Sequence, residues 1–526
     1  MKFPSTELPI LTNTTREFVT GNEQLKSIIG SEHPFYSIQK AIELKKGLCD
    51  RASLVKVLNR CYEPILNGHS NDEAVKKNIQ LLLDENTFTV TTGQQLHLFF
   101  GPAFVLYKIR SIIDTAKQLK LEYPQYNFVP IYWMAGEDHD FEEIKNTHVF
   151  NKTFTWNTQQ QGACGRFHLN EVPELIQSIR ESVNMDEPQK ILLQTFEDIY
   201  KNSKNLAEAS AKCIHHFFGD EGVIAIDGDH TEFKSNIREM IKSDVLASSN
   251  ISDFNYTSEV LEKNNYHLQL NAREINFFYL KEGLRKRIIS ENQGFKIVDT
   301  DIQFSAEEML NEIELHPEHF SPNAVLRPVF QEFILPNCMY IGGNAEVNYW
   351  IQIKTLFDKN GTHAPVLKLR PNMWIIPQKI AEKLQKKGIT EKALLTAEND
   401  TELLHLLGEE SKGILEFIES FEGLRKKIQD TAAQYFSPDL KSIIEQGKLY
   451  EKQLKQLDKF VKEKSIEKNK VEFDKIKSIR DTYLNINKIQ ERTTDSLEML
   501  IKYGNPFFNH LKGVDFANSF VLFLYL

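Results

Sequence analysis

The sequence is short of cysteine. It has five in 526 residues, at 49, 61, 164, 213 and 338, with wide spacings and no CxxC. This excludes a disulfide framework and a thiolate zinc centre, and fits reduced thiols in a cytoplasmic protein. Long apolar runs are missing too. The longest near an end, 520–526, falls far short of the ~20 residues of a spanning helix and reads as a buried terminal strand. Met1–Ser5 leads into polar sequence, so no signal peptide is expected. Positive charge is the minority: 63 Lys and Arg against 73 Asp and Glu leave a net charge of −10. Neither nucleic acid nor an anionic membrane is an expected partner of such a chain. GxxxxGK followed by Ser or Thr, GxGxxG, GxSxG and HExxH are all absent. These absences remove the short motifs of P-loop, dinucleotide, serine-hydrolase and zinc-protease chemistry.

What is present is an ordinary globular balance, 41% hydrophobic and 26% charged. The length suggests about three domains at ~150 residues each. Up to about residue 380, short β-branched or aromatic runs alternate with longer amphipathic ones, the pattern of an α/β domain. Strands are expected at 88–92 (ending at Gly93), 127–134, 222–226 and 366–370, with a helix from Pro102. Strand, glycine turn, helix and strand make a βαβ unit, so the core is expected to be a parallel sheet with its functional groups at the carboxyl ends of the strands. The stretches 145–220 and 230–330 read as insertions over that face. The first opens on alternating Phe150, Lys152, Phe154 and Trp156, the pattern of a small β-layer. The expected division is a core at 1–385, a helical domain at 386–505 and a tail at 506–526 packing on the core.

In the helical region apolar residues step by three and four. The first series is Ile414, Phe417, Phe421, Leu424 and Ile428; the second is Leu440, Ile443, Gly447, Tyr450, Leu454, Leu457 and Val461. The third is Ile476, Ile479, Tyr483 and Ile486. A long antiparallel hairpin, in part a coiled coil, is expected. Such a seam serves equally a subdomain folded on its own chain or a dimer arm.

Three clusters carry the chemistry. Glu137, Asp138, His139 and Asp140 follow a strongly apolar strand. Carboxylate and imidazole there suit an acid–base pair. Alternatively Asp138, His139 and Asp140, joined by Asp227, Asp229 and His230, could ligate a divalent ion, giving a metal-dependent hydrolase built on the 137–143 and 227–230 clusters. The same residues also fit a capped helix start with a solvated acidic turn. In the second cluster Thr92, Gly93, Gln94 and Gln95 end a strand, and Lys108 lies two turns into the next helix. Amides, backbone N–H groups and a cation suit a carboxylate or phosphate; a glycine turn with Gln caps fits as well. The third cluster is Gly342, Gly343, Asn344 and Glu346, a close-approach turn with polar groups suited to hydroxyls or amines, or simply a tight turn before a helix. Arg327 and Arg370, each preceding a proline, could hold a carboxylate bidentately.

At these clusters the sequence resembles a known family. Thr91–Leu96 with Gly101-Pro102 and Tyr107-Lys108, Val129–Met134 with Glu137–Phe141, Phe320–Asn323 with Leu326–Pro328, Gly342-Gly343 with Glu346, Tyr349-Trp350 and Gln490–Arg492 resemble the bacillithiol-biosynthesis cysteine-adding (BshC) family. The resemblance implies a Rossmann-like, nucleotidyltransferase-like core with connecting-peptide insertions and a coiled-coil arm that forms a homodimer. It also implies a ligase joining cysteine to the amine of glucosaminyl malate. Amide formation needs an activated carboxyl, so ATP or ADP is expected as cofactor, with no metal beyond a nucleotide-associated divalent ion. His139, oriented by Glu137 or Asp138, would be the base. Gln94, Gln95 and Lys108 would bind the anionic substrate. Thr92, Gly93, Asp140 and Arg327 would line the site, and Gly342, Gly343, Asn344 and Glu346 would shape the sugar or amino-acid pocket. A non-catalytic dimeric scaffold is the third reading.

Overall fold

The computed structural model describes residues 2–3, 10–66, 68, 71–397, 399–407, 469–504, 506–518 and 521–526, with scattered positions between 420 and 468. Chain contacts divide it into two units, Met1–Met373 with Glu491–Leu522, and Trp374–Gln490 with Phe523–Leu526. This differs from the expected core at 1–385 and tail at 506–526.

The first unit is organised by a five-stranded sheet: β1 Thr87–Gln94, β2 Asn127–Met134, β3 Ile224–Asp227, β4 Asn337–Gly342 and β5 Val366–Leu369. Their spatial order is β5-β4-β1-β2-β3 and every pairing is parallel. β1 and β4 are buried nearly throughout, which explains continuous apolar and β-branched runs in place of alternation. β2 carries Pro130, an unusual residue for an inner strand. β3 pairs only from Ile131 onward, so Pro130 sits where β2 has a single neighbour.

Two expected boundaries move for visible reasons. The 222–226 strand begins at Ile224 because Gly222, at φ +76°, closes a 3-10 turn. Helix α1 is Phe104–Glu122, starting after Pro102. Residues 101–103 are instead tied to the 494–496 segment, through Ala103 N–H to Thr494 O (2.9 Å) and Ser496 N–H to Gly101 O (2.6 Å).

The first insertion opens on a hairpin, Asn146–Val149 with Lys152–Thr155. Phe150, expected in a strand, is in its turn at φ 47°. Helices follow, ending with α2, Leu206–Phe218. The second insertion contains a five-stranded antiparallel sheet that includes Leu284–Glu291, Phe277–Lys281 and Phe320–Pro322. It was not foreseen as a sheet. After it come α3, Arg327–Ile334, and α4, Asn344–Gln352. Tyr340 of β4 stacks on Trp350 of α4 at 4.1 Å, fixing that helix to the sheet.

In the second unit, helix Lys470–Tyr483 buries Phe473 and Ile476, and Trp374 packs on Phe523 at 6.0 Å. Most of the first two apolar series (Ile414, Phe417, Phe421, Ile428, Leu440 through Leu454, and Val461) lies outside the described residues. Leu424 and Leu457 are described and exposed.

Candidate active site

The chain crosses from β1 to β2 and β3 on one side and places β4 and β5 on the other. The boundary between β1 and β4 is therefore the switch point of the sheet, where α/β proteins hold ligands. Lys108 of α1 reaches it from below. Its ammonium donates to Gly93 O (2.8 Å) and Gln94 Oε1 (3.1 Å) and pairs with Glu346 Oε2 (2.6 Å). Three acceptors use all three protons of a lysine. Lys108 thus supplies field and holds Gln94 with its N–H2 end turned outward.

Glu346, in the first turn of α4, also accepts from Gly343 N–H (2.8 Å) and from the Tyr340 hydroxyl (2.5 Å). Burial opposes its charge, but Lys108 and these donors outweigh burial and hold the carboxyl below its usual range. Burial pulls Lys108 below its ordinary value, with Glu346 working against the shift.

Around Phe104 stand Arg370 (5.1 Å), Arg492 (5.7 Å) and Lys108 (5.7 Å). Arg327, on the same side, bonds Tyr349 Oη (3.3 Å) and Gln331 Oε1 (3.2 Å). The Arg370 guanidinium bonds Glu491 (2.6 Å) and Pro371 O (2.8 Å). Its Nε is buried and has no hydrogen-bond partner among the described residues. A Cβ built on Gly343 would lie 3.7 Å from that Nε, so the glycine keeps open the space beside it. Four cations meet two carboxylates, Glu346 and Glu491, at the N-terminus of a nine-residue helix. Such a place attracts an oxyanion.

The second group follows β2. Gln95 Nε2 donates to Asp138 Oδ2 (2.8 Å) and Glu143 Oε2 (2.7 Å), and His139 N–H donates to Asp138 Oδ1 (2.8 Å). Arg285, from the antiparallel sheet, lies 2.6 Å from His139 Nδ1. Arginine only donates, so Nδ1 accepts and Nε2 carries the proton. Arg285 is fixed by Ser321 Oγ (3.0 Å) and Pro322 O (3.0 Å) and lies over Phe278. Burial and then Arg285 hold the His139 imidazole below its ordinary value.

Several expected roles change. Glu137 turns away from His139 to a buried ion pair with Lys234, so it does not orient the imidazole; Arg285 does. Thr92 Oγ1 is taken by Ile341 O (2.7 Å) in a cross-strand lock. The Asn344 amide oxygen accepts from Thr12 N–H (3.1 Å), tying down the N-terminal segment. Asp140 is exposed and precedes the short helix Phe141–Ile144 without capping it. The six residues considered as metal ligands do not converge: Asp229 is held by Arg166 (2.6 and 2.8 Å) and Asp138 by Gln95. Among the described residues, only His316, Glu318 and His319 bring such donor atoms within 4.8 Å of one another.

Arg285, Lys234, Arg166, Arg492 and Phe104 were not singled out as site residues. Their places are set by partners distant in sequence: Arg285 by Ser321 and Pro322, Lys234 by Glu137, Arg166 by Asp229. The nearest sequence signal was the Gln490–Arg492 match to the family.

Two family models match the chain: the N-terminal Rossmann-like domain of bacillithiol biosynthesis BshC over residues 1–371, and its C-terminal coiled-coil domain over 373–521. Among curated relatives is a protein of Flavobacterium psychrophilum, named "Putative cysteine ligase BshC". It is 36% identical over 466 residues, 88% of this chain and 86% of its own length. Proteins of the same name from Cytophaga hutchinsonii (34% over 495 residues, 92% of this chain and 91% of its own) and Flavobacterium johnsoniae (36% over 388 residues, 73% and 72%) are also similar. The parallel sheet, the clusters at its rim and these matches lead to one conclusion: the chain belongs to the BshC family of bacillithiol biosynthesis.

Proposed function

We propose that this chain is a nucleotide-dependent ligase that joins the carboxyl of cysteine to the amine of glucosaminyl malate, the last step of bacillithiol synthesis. The name borne by its relatives supports the reaction class. The observation that carries the substrate assignment is the cation excess at the β1–β4 switch point, with the Arg370 Nε unpartnered beside Gly343. The malyl carboxylates take the Gln94 amide, the Arg370 Nε and the N-terminus of α4.

A bare carboxylate and an ammonium form a salt, so the cysteine carboxyl needs activation. A nucleotide would supply that activation, and Arg327 and Arg492 suit its phosphates; no ligand set for an accompanying divalent ion is assigned. A nucleotidyltransferase-like ancestry of the core is part of this reading. His139 in its Nε2–H form is a donor toward a developing oxyanion, and Asp138 beside it is the group able to accept a proton from the amine. Asp140 stays at the mouth of the site.

The helical region is read as a homodimer arm, supported by the exposure of Leu424, Leu457 and Phe460, and the protein is read as cytoplasmic. Among the described residues no helix is long and apolar enough to cross a membrane. Thiol profiling of a deletion strain tests the function. Glucosaminyl malate should accumulate and the cysteine-containing thiol disappear; persistence of that thiol would refute the assignment.

A further inference from the structure

Further along the rim from the β1–β4 site, at the carboxyl ends of β2 and β3, lies a cavity of about 230 Å³. An engineered cavity of about 150 Å³ holds a benzene molecule, so this one has room for a ligand slightly larger, well below nucleotide size. Its charged lining is Asp227, Asp229, Glu208, Arg166 and Arg60, and Asn205, Cys61 and His230 also line it. Leu58, Ile65 and Ala211 supply apolar surface.

The polar wall carries both signs of charge: Arg60 is spent on Glu232 (3.0 Å) and Glu208 binds Lys212 (2.6 Å), while Arg166 and Asp227 each keep an atom for a further partner. Arg166 grips Asp229 through Nε (2.6 Å) and Nη2 (2.8 Å), and its Nη1 has no protein acceptor among the described residues. Asp227 accepts the Asp229 N–H with Oδ1 (3.1 Å), and among the described residues no donor reaches its Oδ2. Burial, then Asp229 and Glu137, push the Asp227 carboxyl well above its usual range, the condition in which a cation would be welcomed as partner.

The turn after β2 forms the partition toward the first site. Gly165 N–H bonds Gly136 O (2.7 Å) and Cys164 N–H bonds Asp138 O (2.7 Å). A Cβ on Gly136 would fall 2.0 Å from Asp227 Oδ2, so the turn can lie against the cavity floor only as glycine. The residues after it, Asp138 and His139, belong to the group with Gln95 and Arg285 described above.

We propose that this cavity binds a small α-amino acid as its zwitterion, the ammonium on Asp227 and the carboxylate on the Arg166 Nη1 side, with a short side chain against the Ala211 wall. Resting on the ligase reading, the amino acid is cysteine, and the two substrates meet across the 136–139 turn. The binding claim itself stands on the cavity alone.

The test uses the full chain and the thiol already in the cavity wall. Cys61 is partly accessible, and its thiol is pushed by burial to about 11. Cys49, partly accessible but hydrogen-bonded to Ile334 O (2.8 Å) and outside the cavity, is the internal control. Alkylation by iodoacetamide at pH 9, followed by peptide mass spectrometry, should slow at least fivefold at Cys61 in millimolar L-serine or L-2-aminobutyrate, and stay unchanged at Cys49. Propionate and glycine ethyl ester, each lacking one charge, should give no protection. Arg166→Met should abolish it.

Should Cys61 be too slow to follow, titration calorimetry with L-serine replaces it. Wild type should bind and Ala211→Trp, which fills the cavity, should not, with thermal melts confirming that the variant is folded. Equal slowing at Cys49, equal protection by propionate, or undiminished binding by Ala211→Trp overturns the proposal. Protection at Cys61 in a chain without ligase turnover would keep the site and remove the function. Turnover without protection would do the reverse.

Discussion

The two ends of one rim solve opposite problems. Between β1 and β4, among the described residues, four cations face two carboxylates and a helix N-terminus, and an arginine Nε is left buried and unpartnered. Beyond β2 each cation is engaged, Lys234 with Glu137, Arg166 with Asp229, and Arg285 against His139 and Asp138, and carboxylates such as Asp227 are in excess. The backbone is the same in both places, parallel strands ending in glycine-containing turns. The difference lies in which side chains the insertions and the 491–495 segment bring to it. The first place is suited to hold an anion, the second to set the protonation of groups around a turn.

The contrast breaks most severely at Lys108→Met. Glu346 would remain buried without its cation, a loss of roughly 3–5 kcal/mol for a broken buried pair. Denaturant melts should show it, and Lys108→Met with Glu346→Gln should recover part. Gly136→Ala is next. Its methyl meets Asp227 Oδ2, and overpacking of this kind costs about 1–3 kcal/mol.

Gly343→Ala sharpens the comparison, because the residue sits at φ −79° and alanine adopts that conformation without strain. Stability should stay unchanged while KM for glucosaminyl malate rises about tenfold, near 1.4 kcal/mol. A pH profile probes the other side. Burial and Arg285 hold the His139 imidazole below its ordinary value of about 6.5; protonation at Nδ1 would expel Arg285, so any acid limb of kcat due to His139 should lie below that pH. His139→Asn, whose amide oxygen can accept from Arg285, should retain more activity than His139→Ala.

The smallest effect is at Asp227. A carboxyl raised in the folded state contributes stability that is present at low pH and is lost as pH rises through its folded value. Asp227→Asn should therefore gain in Tm relative to wild type at pH 9, with the gain shrinking as pH falls toward the unfolded carboxyl value of about 4.

Much of the frame was legible in the sequence. β1 and β2 read clearly because buried parallel strands are continuous apolar runs, and the strand-end rule put the clusters after Thr92, Met134 and Ile226 at one rim of the sheet. Side-chain direction was not legible. Thr92 and Asn344 have the right chemistry and the right neighbourhood, yet one locks two strands and the other anchors Thr12. Glu137 and Asp138 are adjacent but diverge because the turn sends one to Lys234 and the other to Gln95. The partner of His139 lies 146 positions away on a sheet that sequence periodicity did not reveal.

The central claim is that the β1–β4 end is an oxyanion receptor built on the Arg370 Nε. Calorimetric titration of L-malate into the full chain, wild type against Arg370→Lys, tests it directly. Lysine keeps the charge and a partner for Glu491 but removes the planar Nε donor. The account predicts that malate binds wild type and that its affinity falls at least tenfold in the variant, with the melting temperature little changed. Equal affinity in the two proteins, or no binding to wild type, would contradict it.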